Sequence, residues 1–339
     1  MNAHPGWYGA VMSTAVLSVI AHNERIIWDA PWLDVLAVIL LLITTLLAAV
    51  LAPHYVRPLT RPGFAHSELD NPDTGSMLAT VPAGILLLAA AWGTVGPLLI
   101  PTGAALTVDA VLLVLGALLA LWVGMMWATS AGRGSQGLAG VNGSWLIPPV
   151  CTMLVTSAIA PLIVPNAGFG EVLLLIGYAF LGAGSVMFIV ILSLLVARLI
   201  LDPDMPSELA PTMWVPLAPA GILGIAAIRL TQGAVGIGLV NPAMLDVAAA
   251  MAALGFGFGV WWALFAGWDL ARMRRAGQIA FHPGWWAFVF PPAALLLSLL
   301  GIEELFRSDH LKWISAPLCL ALLGLWGFLV VKSVTRLRW

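Results

Sequence analysis

The chain has 339 residues, 61% of them hydrophobic and only 9% charged, with a formal net charge of −2 and a mean hydropathy of +1.01. Soluble domains run near 45–50% apolar and about 25% charged, so this composition excludes a soluble globular protein and describes an integral membrane one. No nucleic-acid partner is expected, and membrane lipid is the solvent in which the fold has to be argued.

Apolar runs of about 20 residues, each long enough to cross about 30 Å of hydrocarbon as helix, number ten. They fall near 6–22, 33–52, 77–97, 105–127, 145–164, 171–199, 212–231, 243–267, 284–302 and 314–333. Links between them are short, so residues 1–339 are read as a single transmembrane domain. The N-terminus has no basic residue before its first apolar run, which argues for a retained span and against a cleaved signal.

Prolines divide the spans into two kinds. The third, fifth, seventh and ninth carry Pro82, Pro148-Pro149, Pro216 with Pro219, and Pro291-Pro292. A proline inside a span removes a backbone donor and clashes with the preceding turn, so these helices are expected to kink, freeing carbonyls near Ala287 and Phe288. In hydrocarbon such carbonyls are tolerated only where protein or a water-filled cavity meets them. The first span lacks such a proline but offers Gly9, Met12, Ser13 and Thr14 at the equivalent depth. Even spans, such as 33–51 and 111–121, are read as smooth Leu/Val/Ala helices without an interior proline. The pattern predicts an inner ring of kinked odd helices, an outer ring of even ones, and repeated parallel helical hairpins.

Some words recur. His4-Pro5-Gly6-Trp7-Tyr8-Gly9 echoes His282-Pro283-Gly284-Trp285-Trp286-Ala287, and Val81-Pro82-Ala83-Gly84 echoes Ala218-Pro219-Ala220-Gly221. Ten of the 14 Lys and Arg residues fall on the side holding both termini, which places the termini in the cytoplasm. Trp28, Trp32, Trp127, Trp268 and Trp313 lie near span ends, where interfacial anchoring accounts for them.

Redox and metal chemistry finds little support. The six His (4, 22, 54, 66, 282 and 310) stand at span ends or in links, and Cys151 and Cys319 are isolated in apolar runs. Neither a cofactor nor a metal is expected, and the chain is not read as an enzyme. Asp34, Asp109, Glu171, Asp246, Arg198 and Arg229 lie within a turn or two of span ends, which leaves no acid at mid-depth to relay a proton. Uncoupled conduction follows. Mid-depth offers Thr14, Thr80, Thr152, Thr156 and Ser157, together with half-helix N-termini able to face an anion.

Trp285-Trp286-Ala287-Phe288-Val289-Phe290-Pro291, Met12-Ser13-Thr14 after Trp7-Tyr8, and Ala218-Pro219-Ala220-Gly221 together resemble the tellurite-resistance/dicarboxylate transporter family. That family includes fungal malate permease and sulfite efflux pump and the slow-type anion channel of guard cells. The resemblance implies an all-α membrane fold of ten helices as five parallel hairpins around a central pore, assembled as a homotrimer. It implies small anions as substrates: C4-dicarboxylate, sulfite, other oxyanions or chloride, passed across the cell's inner membrane. Carried over by residue, Phe290 matches the phenylalanine that plugs the pore. Met12, Thr14, Pro82, Gly84, Pro148, Pro149, Thr152, Pro216, Pro219, Gly221 and Pro291 are the expected lining or kink positions. Met12-Ser13-Thr14-Ala15 departs from the family's Met-Gly-Thr-Gly pattern, which bears on pore width. The alternative is a membrane-embedded redox or enzyme subunit with its chemistry in the links.

Overall fold

A computed structural model describes residues 4–59, 63–71, 74–133, 137–202, 206–275 and 281–336, and nearly all of them are helical. Arg61 and Arg338, counted above towards orientation, lie outside these residues. Ten long helices run in order: α1 (Tyr8–Trp28), α2 (Trp32–Leu59), α3 (Thr80–Thr94), α4 (Thr102–Gly132), α5 (Ile147–Ile163), α6 (Gly170–Leu201), α7 (Leu217–Gly236), α8 (Met244–Arg275), α9 (Phe290–Phe306) and α10 (Lys312–Arg336). Among the described residues, nine of the segments they define are long and apolar enough to cross a membrane. The exception is α1, whose last two turns carry His22, Asn23, Glu24 and Arg25.

The odd units break where the α-helices start. Each is a short 3-10 helix followed by an α-helix: Pro5–Trp7, Gly75–Ala79, Gly143–Leu146, Ser207–Trp214 and Pro283–Phe288 precede α1, α3, α5, α7 and α9. The prolines explain the junctions. Pro148-Pro149 and Pro291-Pro292 stand in the first turns of α5 and α9, where an N–H has no intrahelical acceptor and its absence costs little. Pro82 and Pro219 are each the third residue of their helix, and Gly84 and Gly221 each the fifth, so the repeated Pro-Ala-Gly word sits in one register in α3 and α7. One expectation about the even helices fails: Pro317 lies inside α10. It falls in the second turn, near the aqueous end, where a lost hydrogen bond is cheap to replace.

The five odd helices close a ring, each packing on the next in the order α1, α3, α5, α7, α9 and back to α1, and their 3-10 leaders form a second closed ring in the same order. Every even helix packs on the odd helix that precedes it. Burial follows: the apolar windows of α3, α5, α7 and α9 are 78–83% buried, those of the even helices 22–28%. Large side chains such as Leu254, Leu264 and Ile200 are more than 70% exposed on the outer layer, a surface suited to lipid. Small residues allow the close inner contacts. A Cβ at Gly221 would run into the Ala294 carbonyl of α9, and one at Gly84 would come within 2.6 Å of the Tyr8 ring of α1. Of the expected anchoring tryptophans, Trp32, Trp268 and Trp313 are exposed. Trp127 is instead buried, edge-on to Trp145 at 5.4 Å.

Candidate functional site

The two His-Pro-Gly words perform the same local task. His4 Nδ1 accepts from the Gly6 N–H at 3.0 Å and His282 Nδ1 from the Gly284 N–H at 3.0 Å, so each imidazole caps its own 3-10 helix. Asn142 Oδ1 does likewise for the Ser144 N–H at 2.9 Å, ahead of α5. Burial lowers the pKa of both histidines, and His4 is lowered further by its neighbour His282. Cross-ties hold the leaders together: Thr80 Oγ1 donates to the Pro5 carbonyl at 2.8 Å, and the hydroxyls of Ser76 and Ser144 are 2.7 Å apart.

Inside this second ring is a small cavity of about 60 Å³, bordered by all five inner units through residues such as Met12, Thr80, Val150, Val215 and Phe290, with no charged side chain in its lining. Phe290, the first residue of α9, is 5% exposed and pairs with no other ring among the described residues. Phe288 differs. It stands edge-on to Trp214 at 5.9 Å and to Trp285 at 5.6 Å, a packed aromatic outside the cavity.

The other expected positions divide cleanly. Met12 and Pro291 border the cavity with Phe290. Thr14 does not, because its hydroxyl donates to the Ala10 carbonyl at 2.8 Å and accepts from the Trp326 indole of α10 at 2.9 Å. Thr152 bonds back to the Pro148 carbonyl at 3.0 Å. Pro82, Pro148, Pro149, Pro216 and Pro219 shape the helix starts, and Gly84 and Gly221 form helix contacts; none of these seven borders a cavity. The freed carbonyl expected near the double proline is partly visible. Phe288's oxygen faces proline nitrogens three and four residues on, so no helical donor reaches it.

Ala15, Ala293 and Ala294, further along the inner helices than the small cavity's lining, are at most 2% exposed. A second, larger cavity of about 480 Å³ is enclosed by the C-terminal halves of the same five helices and the start of α4. Its border is mostly apolar and carries a polar group of side chains that includes His22, Thr156, Arg229, Gln232 and Glu304. Arg229 Nη1 is 3.0 Å from Glu304 Oε2 and 2.9 Å from Gln232 Oε1, and Gln232 Nε2 donates to Glu304 Oε1 at 3.1 Å. Nearby, His22 and Arg25 both meet Asp34, at 2.8 and 3.1 Å. Among the described residues no cluster of His, Cys, Asp and Glu could hold a metal ion.

A ring of five helices with a charge-free throat and a polar vestibule is a transporter's geometry. The family model described as SLAC1, voltage-dependent anion channel, matches residues 2–334. The chain belongs to that family. Two uncharacterized transporters of Methanocaldococcus jannaschii are each 27% identical to it, over 340 and 344 residues, covering 99% of this chain and 93% and 95% of their own lengths. A sulfite efflux pump, SSU1, of Trichophyton rubrum is 23% identical over 358 residues, 99% of this chain and 92% of the pump. As a member of the voltage-dependent anion channel family the protein is a multi-pass membrane protein of an anion-transporting family, which leaves the redox alternative without support.

Sequence reasoning missed the vestibule. Arg229 was placed near a span end but not paired, and Gln232 and Glu304 were not singled out, because their spacing of three residues on α7 becomes a site only when α9 packs alongside. It placed Asp109 near a span end without foreseeing its burial, and did not single out Glu24 and Glu303: all three are at most 4% exposed, and each has at least one carboxylate oxygen without a hydrogen-bond partner. All three lie beside the outer half of the ring, next to Gly93, Asn23 and Glu304 of the vestibule wall, so the layer around Phe290 remains free of acid.

Proposed function

We propose that this protein is an anion channel or transporter whose path runs through the ring of five inner helices and is gated by the Phe290 ring. One observation carries the reading: residues from all five inner units converge on a cavity with no charged side chain, and Phe290 is among its lining residues. Five α-helices begin around that space, and helix starts carry partial positive charge that favours anions without a fixed cation to trap them. A charge-free constriction blocked by one aromatic ring closes the path by excluding water as much as by bulk. The substrates are small anions, with C4-dicarboxylates, sulfite and related oxyanions first, in keeping with the relatives' transport of sulfite. Five parallel hairpins surround the path, and the apolar outer helices face lipid and neighbouring copies in a homotrimer, one path per protomer. The termini are cytoplasmic in the cell's inner membrane, so the Phe290 cavity faces the cytoplasm and the polar vestibule the outside.

The test is flux into liposomes holding the purified protein, with malate, sulfite, chloride and nitrate compared side by side. Flux of at least one anion above protein-free liposomes supports the reading, and none for any of the four removes it. Native mass spectrometry in detergent checks the assembly, and monomers alone would refute the trimer.

A further inference from the structure

We propose that Arg229 and Gln232 form an anion-docking site in the vestibule, one that the chain's own Glu304 carboxylate occupies in the closed state. The proposal rests on the transport reading above and extends it to where an incoming anion first binds.

Three observations point there. Glu304 is gripped at both oxygens by two different donors, Oε2 by the Arg229 guanidinium at 3.0 Å and Oε1 by the Gln232 amide at 3.1 Å. Gln232 is itself oriented by accepting from Arg229 Nη1 at 2.9 Å, so the two donors on α7 are aligned before any ligand arrives. All three residues border the 480 Å³ cavity, and with side chains 31% and 43% exposed the Arg229–Glu304 pair is within reach of solvent.

Donors that hold a carboxylate at two oxygens will hold any small oxyanion with two oxygens at that separation, which a halide lacks. Arg229 is also the only Lys or Arg in the vestibule lining. An anion arriving there meets a cation already neutralised by Glu304 and must displace it. Glu304 lies on α9, the helix that Phe290 begins, so displacement removes a polar tie between the far end of that helix and α7. Glu304 is thus a built-in competitor that sets the concentration at which the vestibule fills. A plain α7–α9 staple predicts something different, since removing either partner would then loosen the protein equally.

The experiment uses the full chain in detergent and in liposomes. Sodium succinate and sodium sulfite are titrated against the melting temperature of the detergent-purified protein, and uptake of the same anions is measured against concentration in liposomes. Glu304→Gln should lower the half-saturating concentration three- to tenfold, and Arg229→Gln should raise it at least as much. The double variant should behave as Arg229→Gln alone. Should Arg229→Gln fail to fold, Gln232→Leu, which removes one donor and keeps the charge, should raise the half-saturating concentration two- to fivefold. Single variants that shift in the same direction, or a Glu304→Gln that weakens binding, would overturn the docking site. The two readings separate: no wild-type flux with opposite shifts in binding defeats the transport reading alone. Wild-type flux with parallel shifts defeats the docking site alone.

Discussion

Where the five inner helices begin, their ring encloses a cavity of about 60 Å³ walled by methionine, threonine, valine and one phenylalanine edge, without a charge. Where the same helices end, it encloses about 480 Å³ bordered by His22, Arg229 and Glu304. The two regions share helices and differ in how those helices start and stop. Starts are built from a 3-10 helix, capped by a side chain ahead of α1, α5 and α9, and from prolines in the first turns of α3, α5, α7 and α9, devices that fix backbone direction without charge. Ends lie near water and carry ionic pairs. The proposed function assigns discrimination by fit and dewetting to the narrow region, and capture by charge to the wide one.

The sharpest way to break that comparison is at Phe290. If its ring closes the narrow region, Phe290→Ala should raise anion conductance at least about tenfold with normal expression, and Phe290→Leu should fall between them. Phe288→Ala is the control. Its ring packs against Trp214 and Trp285, so removing it should cost about 3–5 kcal/mol of stability and should not create a leak. Single-channel or flux recordings decide, and a leaky Phe288→Ala beside a silent Phe290→Ala would reverse the assignment.

A second test concerns the contact that spans both regions. Gly221 meets α9 backbone to backbone, so Gly221→Ala must push α7 from α9, a strain of roughly 1–3 kcal/mol or more. Its melting temperature should drop well below that of Pro291→Ala, where alanine in a first helical turn is well tolerated. Equal melting temperatures would mean that the helices are free to separate.

Much of this was legible beforehand because membrane spans advertise themselves. Ten runs became ten long helices, and the alternation of proline-bearing and smooth runs became the inner and outer layers. The prolines marked the breaks but not their form. Composition showed that a break was needed but not that each span would begin as a 3-10 helix, with the proline at the tolerant first turn. Thr14's hydroxyl does not face the small cavity in this structure, because a hydroxyl's depth is readable in the sequence and its direction is not; here it meets the Trp326 indole, 312 residues away in sequence. The vestibule was invisible for the same reason, since Arg229 and Glu304 meet only through helix packing.

A third test addresses the capped starts. An imidazole protonated at Nδ1 cannot accept from the Gly6 or Gly284 N–H, and burial lowers the pKa of both His4 and His282 below the usual 6.5. The unfolded chain then binds more protons than the folded one just below that value, so stability is full above it and declines as pH falls towards the lowered folded values. The Glu208 carboxylate and backbone lie beside His282 and oppose its shift, whereas the Tyr55 hydroxyl donates only to the His4 carbonyl. Asparagine already caps the turn ahead of α5, so His4→Asn with His282→Asn should fold, and as pH falls from 7 to 5 it should lose less stability than the parent, the three buried acids being common to both. The difference between the two should be about 1–2 kcal/mol over that range. A variant whose melting temperature follows pH as the parent's does would remove the histidine caps from the account.

The smallest expected effect belongs to Thr14, and it bears on where the inner wall ends. Its hydroxyl accepts from the Trp326 indole at 2.9 Å, which joins α1 to α10 on the side away from the ring's interior. Thr14→Val keeps the shape and deletes the acceptor, leaving a half-buried indole N–H unpaired at a cost of about 1 kcal/mol. Trp326→Phe removes the donor instead, so the double variant should cost less than the sum of the two singles. A hydroxyl facing α10 has no view of the path, so malate, sulfite and chloride should keep their relative fluxes in Thr14→Val. A change in that ratio would mean that Thr14 turns inward when the path opens, and the division between packing and lining residues would then hold for the closed state alone.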